Sequence, residues 1–175
     1  MRKIVLDTEV TGLRPDEGHR IIELAAIEID GGGITENRFH QYFNPERDVD
    51  EDASEVHGLT LDRLITEPLF SSFAHEIADF IHDAELIIHN APFDISFMNA
   101  EFMKVGLPPV ESICKIVTDT LVIARNQYPG KKNSLNALCE RFGIDYSHRT
   151  QHGAMLDAEL LAAVYFELHQ GELYC

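Results

Sequence analysis

With 175 residues, 45% of them apolar, and a formal net charge of −16, the chain has the size of one domain with a sizeable core. It is too acidic to grip a long nucleic-acid duplex across its whole surface. No apolar run reaches the length of a membrane span, and Met1-Arg2-Lys3 leads into only three apolar residues before Asp7, which does not read as a secretory leader.

The first strand is expected over Lys3–Glu9, where Ile4-Val5-Leu6 runs into Asp7-Thr8-Glu9. Residues two apart on a strand share a face, so Asp7 and Glu9 project together, and Thr11-Gly12 turns the chain just after. Carboxylates this close at a buried strand end repel each other. They persist only with a cation between them or a proton on one. Hard oxygen donors at that density suit Mg²⁺ or Mn²⁺. A lone Asp-x-Glu also reads as a solvated strand end, so the metal reading needs further carboxylates at the same place.

Residues 13–20 read as a loop. Ile21 to Asp30 reads as a second strand, Gly31-Gly32-Gly33 as a turn and Arg38 to Asn44 as a third strand, together an antiparallel meander. Pro45 to His57 is expected to be a long acidic loop, of the kind that serves a site; it carries Asp48, Asp50, Glu51, Asp52, Glu55 and His57. A short helix is expected near Leu61–Ile65. A longer one over Leu69–Ile81 has apolar residues at helical spacing and reads as core packing, with His75 and His82 structural.

Leu86 to Asn90 is a short apolar strand. It follows a helix and is expected to pair parallel with the first. Asn90-Ala91-Pro92-Phe93-Asp94 opens a helix, with proline where a missing N–H costs nothing. Asp94 falls in the first turn, just past an inner strand, where ligand sites of α/β sheets gather; an acid there also complements the helix dipole. Val117 to Leu121 is expected to begin a helix capped by Thr118 or Asp119. Asn133-Ser134 caps a helix over Leu135–Phe142, which Gly143 ends.

A last helix over Ala154–His169 carries Asp157 and Glu159 in its first turns. His152 lies five residues before Asp157, a spacing that does not share a helical face. His152 is therefore expected to approach from the preceding loop while Asp157 projects from the helix, which suits a mobile proton acceptor beside a fixed ligand. Charge is unevenly spread: residues 104–149 hold seven basic groups against four acids. Such a stretch beside an acidic body suits guidance of a short anionic strand. Cys114, Cys139 and Cys175 are odd in number and far apart, as expected of reduced thiols in a cytoplasm rather than of disulfides or a zinc site.

Three segments carry a resemblance. Leu6-Asp7-Thr8-Glu9-Val10-Thr11-Gly12, His89-Asn90-Ala91-Pro92-Phe93-Asp94 and His152-Gly153-Ala154-Met155-Leu156-Asp157-Ala158, in this order, resemble the three exonuclease motifs of the DEDDh 3′→5′ exonucleases. Val117 to Leu121, Pro129 to Leu135 and Ala137-Leu138-Cys139 are similar to one branch of them, the epsilon family of proofreading subunits of bacterial DNA polymerase III. The likeness runs from Ile4 to about Tyr165. It implies a ribonuclease H-like α/β fold, a mixed five-stranded sheet flanked by helices, with residues 1–175 as a single exonuclease domain. It implies two divalent ions, Mg²⁺ or Mn²⁺, held by Asp7, Glu9, Asp94 and Asp157, and His152 as general base. It also implies contacts of the terminal nucleotide with Asp7, Thr8, Glu9, Asp52, His57 and Asp157.

The implied reaction is hydrolysis of mispaired 3′-terminal nucleotides from DNA. The implied partners are the DNA 3′ end, the polymerase III catalytic (alpha) subunit, a small theta-like subunit and the sliding clamp. The family's polymerase-binding segment lies C-terminal to the exonuclease domain and is expected to be absent from a chain that stops at Cys175. Two departures stand out: Asp52 where the epsilon family usually has Glu, and Val10 where the motif usually has Thr. Valine fills the same space without the hydroxyl that could bond nearby backbone, and somewhat reduced activity is expected. The rival readings are a 3′→5′ exoribonuclease with identical chemistry, and a mainly structural subunit with a weakened site.

Overall fold

The computed structural model of the protein describes residues 1–31 and 33–172, with side chains to residue 170. Gly32, in the expected turn, lies outside the described residues, as does the end of the chain from 173. One mixed sheet organises everything else. Its strands are β1 (Lys3–Val10), β2 (Ile21–Asp30), β3 (Gly33–Tyr42), β4 (Glu85–Ile88) and β5 (Ile116–Asp119), in the order β3-β2-β1-β4-β5. β1, β2 and β3 form the expected antiparallel meander, and β4 pairs parallel with both β1 and β5.

β1 is central, and its alternation divides the core. Ile4, Leu6 and Val10 face one layer with Phe43, Phe70, Phe97 and Phe102. That layer is built by α3 (Ala74–Ile81), α4 (Ala91–Lys104) and α5 (Val110–Ile113). Val5 faces the other layer with Leu138, Leu161, Val164 and Leu168. Those side chains come from α7 (Leu135–Arg141) and α8 (Ala154–Glu172), beside α6 (Thr120–Gln127). Phe43, Phe97 and Phe102 are 0% exposed, and a fully buried side chain of this kind stabilises the fold by about 1.5–3 kcal/mol. Among the described residues no helix is long and apolar enough to cross a membrane.

Five expectations need correction. The acidic stretch is not all loop: Glu51–His57 forms a helix, α1. Seven residues are too short to show apolar periodicity, but Glu51 and Asp52 complement the helix dipole and Gly58, at φ 72°, closes the helix in the left-handed region that glycine tolerates. Val117 to Leu121 does not simply begin a helix. Ile116-Val117-Thr118, β-branched and half-exposed, makes the edge strand β5 first, and Asp119 ends it by accepting the Leu121 N–H at the start of α6.

Leu69–Ile81 is split into a short 3-10 turn, Phe70–Ser72, and α3, because Ser71-Ser72 are weak helix formers at the joint. The third strand starts at Gly33, five residues before Arg38, and ends at Tyr42. Its polar first half lies on the exposed sheet edge, where no apolar alternation marks a strand. His75 and His82 are exposed rather than structural. The expected short helix is present as α2 (Leu61–Leu64), capped by the Thr60 side chain.

The turn after β1 is closed by a buried polar lock. Thr11 Oγ1 lies 2.8 Å from His19 Nδ1 and accepts the Arg20 N–H at 3.0 Å, while His19 Nε2 reaches Asp50 Oδ2 at 3.3 Å. A Cβ on Gly12 would sit 2.3–2.5 Å from the His19 ring. Gly12→Ala is therefore expected to destabilise the fold by about 1–3 kcal/mol through overpacking, read as a lower urea midpoint at unchanged slope.

Candidate active site

The odd-numbered side chains of β1 leave the apolar core at Asp7 and continue through Glu9 into a pocket of about 640 Å³. Asp94 reaches the same pocket from the first turn of α4, and Asp157 from the first turn of α8. His152 comes from the loop before α8, and Asp52 and His57 from α1. The structure thus brings together every site residue that the sequence suggested.

Each carboxylate is held differently. Asp94 Oδ1 accepts two hydrogen bonds from Thr8, one from its N–H at 3.1 Å and one from its hydroxyl at 2.6 Å. Thr8 therefore spends its donors fixing Asp94 against β1. The turn that delivers Asp94 is itself fixed: Asn90 has φ 65°, and its N–H donates to Asp119 Oδ1 at 3.0 Å. Asp157 is gripped on both oxygens by Arg149, Nε to Oδ1 at 2.6 Å and Nη2 to Oδ2 at 2.8 Å. Asp7 differs from both: its Oδ2 is buried and has no hydrogen-bond partner among the described residues.

His152 is exposed, yet a ring nitrogen of it and one carboxylate oxygen each of Glu9 and Asp157 all lie within 4.8 Å of one another. The loop keeps it there through its backbone. The His152 N–H donates to Val56 O at the end of α1, at 2.9 Å. His57 is buried, and both its nitrogens are engaged: Nε2 donates to Val10 O at 3.0 Å, and Nδ1 accepts the Leu59 N–H at 3.0 Å. Any contact of His57 with a ligand must therefore use the ring face. Asp52 is exposed at the pocket mouth. Val10 packs its side chain with the α3–α4 layer, turned from the face that Asp7 and Glu9 share.

Two residues of the site were not singled out from sequence. Glu23 pairs with Glu9 across β1 and β2 and is 2% exposed; its Oε1 accepts the Ala154 N–H at the start of α8, and its Oε2 lies 2.6 Å from His40 Nε2. The signal was a glutamate set between Ile21-Ile22 and Leu24 to Ile27, in the fully buried first part of β2. Arg149 entered only as one of seven basic groups in its segment, and nothing in its spacing marks it as the partner of Asp157.

The electrostatics follow from burial. Burial drives the Asp7 carboxyl well above its ordinary range, and the neighbouring Asp94, Glu9 and Asp157 push it further. Burial, with Asp157 and Glu23 beside it, raises Glu9 to about 8, against the pull of Arg149. Burial raises Asp94 to about 7 even though the Thr8 hydrogen bonds oppose it. His152 is lowered, first by the partial desolvation of its ring against the pocket and then by Arg149, with Asp157 opposing. A buried oxygen without a donor, hard carboxylates and a neutral imidazole within ligand distance of them together fit a divalent cation.

A family model described as Exonuclease (RNase_T) matches residues 4–165. The DNA polymerase III subunit epsilon of Pasteurella multocida is 52% identical over 176 residues, covering 98% of this chain and 69% of that protein. The subunit of the same description from Escherichia coli is 49% identical over 177 residues, covering 98% and 72%. Among solved structures, exonuclease X in complex with 5′ overhanging duplex DNA aligns with a TM-score of 0.72 at 22% identity, over 97% of this chain and 92% of that one. A 3′-exonuclease bound to a histone mRNA stem-loop aligns with a TM-score of 0.79 at 19% identity, over 97% and 64%. At such identities the structural likeness speaks for the fold alone.

The raised carboxyls set the pH behaviour of the metal-free protein. Glu9 and Asp94 hold protons up to about 8 and about 7 when folded, whereas in the unfolded chain they release them near pH 4. Across that window the folded state binds more protons, so stability falls as pH rises. In EDTA the Tm is expected to drop between pH 5.5 and pH 8, and Mn²⁺ is expected to raise it more at pH 8. A Tm in EDTA that rises over this range contradicts the assignment.

Proposed function

The chain belongs to the exonuclease family, beside the epsilon subunits of DNA polymerase III, and we propose that it excises mispaired 3′-terminal nucleotides with the side chains gathered at the end of β1. It is a 3′→5′ exonuclease acting on DNA. The observation that carries the site assignment is the convergence of Asp7, Glu9, Asp94, Asp157 and His152 from four separate segments, with one buried carboxylate oxygen left without a partner.

The family implies divalent metal ions. Asp7, Glu9, Asp94 and Asp157 are the residues that would hold them, and a pair of Mg²⁺ or Mn²⁺ ions is the occupancy we assign. Such ions, when bound, make the attacking water more acidic and stabilise charge on the phosphoryl and leaving 3′ oxygens. His152 takes the proton of that water. Its lowered pKa keeps the imidazole neutral, and so able to accept, at pH 7. Thr8 holds Asp94 in place from β1. Asp52 offers an exposed acceptor to a sugar hydroxyl, and His57 offers its ring face to the terminal nucleotide. Thr8 and Glu9 form the floor beneath it.

DNA is favoured over RNA by sequence and not by fold. The 3′-exonuclease of the histone mRNA stem-loop shares the fold at 19% identity, while the relatives near 50% identity are DNA polymerase subunits. The net charge of −16 also suits an enzyme that receives a frayed end from a tethered polymerase rather than one that captures duplex by itself. We assign residues 1–175 to the exonuclease domain. Its partners in the assembly are the polymerase catalytic (alpha) subunit, a theta-like small subunit and the sliding clamp, in the cytoplasm.

The test is degradation of 5′-labelled oligonucleotides, DNA paired or mispaired at the 3′ end and RNA alongside, with Mg²⁺ or EDTA. A metal-dependent ladder shortening from the 3′ end, faster on mispaired DNA, is expected. Asp7→Ala should abolish it, and His152→Ala should lower kcat by roughly 10²–10⁴-fold. A preference for RNA, or a metal-independent ladder, would refute this reading. Val10→Thr is expected to raise the rate; an unchanged rate means that the missing hydroxyl costs nothing.

A further inference from the structure

Among the described residues Arg149 is the one guanidinium lining the pocket, and the excision chemistry does not use it. Its side chain is 7% exposed, and all three of its nitrogens are engaged. Nε and Nη2 hold both oxygens of Asp157, and Nη1 donates to Asn136 Oδ1 on α7 at 2.7 Å. Its backbone N–H donates to Tyr146 O at 2.9 Å. Three residues further on, the chain presents His152. Asp157 remains within ligand distance of Glu9 and His152 while Arg149 holds it. A bidentate guanidinium fixes a carboxylate in plane and direction, and each carboxylate oxygen keeps a further lone pair.

We propose, resting on the exonuclease reading above, that Arg149 is a positioning residue: it fixes the Asp157 carboxylate and, through Asn136, clamps the loop carrying His152 onto α7, so that one side chain sets both the ligand and the general base. The clamp has three points. Arg149 ties the loop to α8 and α7, and the His152 N–H ties it to Val56 on α1. The third is the Gln151 side chain, which closes over Gly58, where an added Cβ would meet it at 2.5–2.7 Å. Without Arg149, the loop would rest only on the α1 contacts, and Asp157 would face Glu9 with no partner to fix its rotation.

The fork, not the charge alone, is what positions. Lysine in its place keeps the cation but cannot span Asp157 and Asn136 together. Arg149→Lys, Arg149→Gln and Asn136→Ala are therefore compared in the full chain by two measurements. The first is hydrogen–deuterium exchange in EDTA. Peptides covering 146–157 are expected to exchange faster in all three variants, most in Arg149→Gln, with β1 and β2 unchanged. The second is steady-state hydrolysis of a 3′-mispaired oligonucleotide at saturating Mg²⁺. Both Arg149 variants are expected to lose roughly 10- to 100-fold in kcat with little change in KM, and Asn136→Ala to lose less.

Parent-like kcat in Arg149→Lys, or parent-like exchange over 146–157 in every variant, overturns the proposal. Should Arg149→Gln fail to fold, Asn136→Ala, which leaves the Asp157 pairing intact, still decides it by exchange and kcat. Absence of hydrolysis by the parent protein sinks the exonuclease reading instead, and the exchange result then stands by itself as a statement about the loop.

Discussion

Negative charge gathered in a buried place is the constraint on which the rest of the structure depends. Asp7, Glu9, Asp94, Asp157 and Glu23 converge around the C-terminal end of one central strand, and burial there disfavours ionisation. The protein does not disperse the charge. It supplies Arg149 to Asp157, two Thr8 donors to Asp94 and the α8 N-terminus to Glu23, and it leaves Asp7 Oδ2 without any. A site with this deficit is stabilised by whatever cation enters it, so cation binding and folding are linked. On the proposed reading, the oxygen left unpartnered among the described residues is one that a bound cation would satisfy.

The fold makes this deficit bearable by keeping it at one end. Along β1 the side chains facing α7 and α8 begin with Val5 in the apolar layer and end with Asp7 and Glu9 in the pocket. Those facing α4 run from Ile4 and Leu6 to Thr8, the donor that Asp94 needs, and return to apolar contact at Val10. One strand thus anchors both hydrophobic layers and carries two of the carboxylates that line the pocket. The same alternation turns Val10 away from the face that carries Asp7 and Glu9.

Much of this was legible in the sequence because it is local. The Asp7–Glu9 pair, the helix opening at Asn90 and the loop-then-helix arrangement of His152 and Asp157 each follow from short-range spacing. The meander and the parallel pairing of β4 with β1 follow from element order. What escaped was set by partners distant in the chain. β5 is a strand because β4 lies beside it, and its residues alone resemble a helix entrance. α1 has no apolar stripe of its own. Glu23 reaches Ala154 and Arg149 reaches Asp157, 131 and 8 residues away; neither separation has a sequence signature.

The tie between the His152 N–H and the Val56 carbonyl joins segments 96 residues apart in sequence. A chain that is only partly folded, whether emerging from synthesis or opened by local fluctuation, can have its sheet in place and still lack this tie. Regions with few long-range anchors open first, well below the free energy of global unfolding. The α1 end of the His152 loop can therefore be released by local opening while the sheet and the Arg149 contacts with Asp157 and Asn136 persist. Opening of this kind would separate the histidine from carboxylates that the sheet still holds in place.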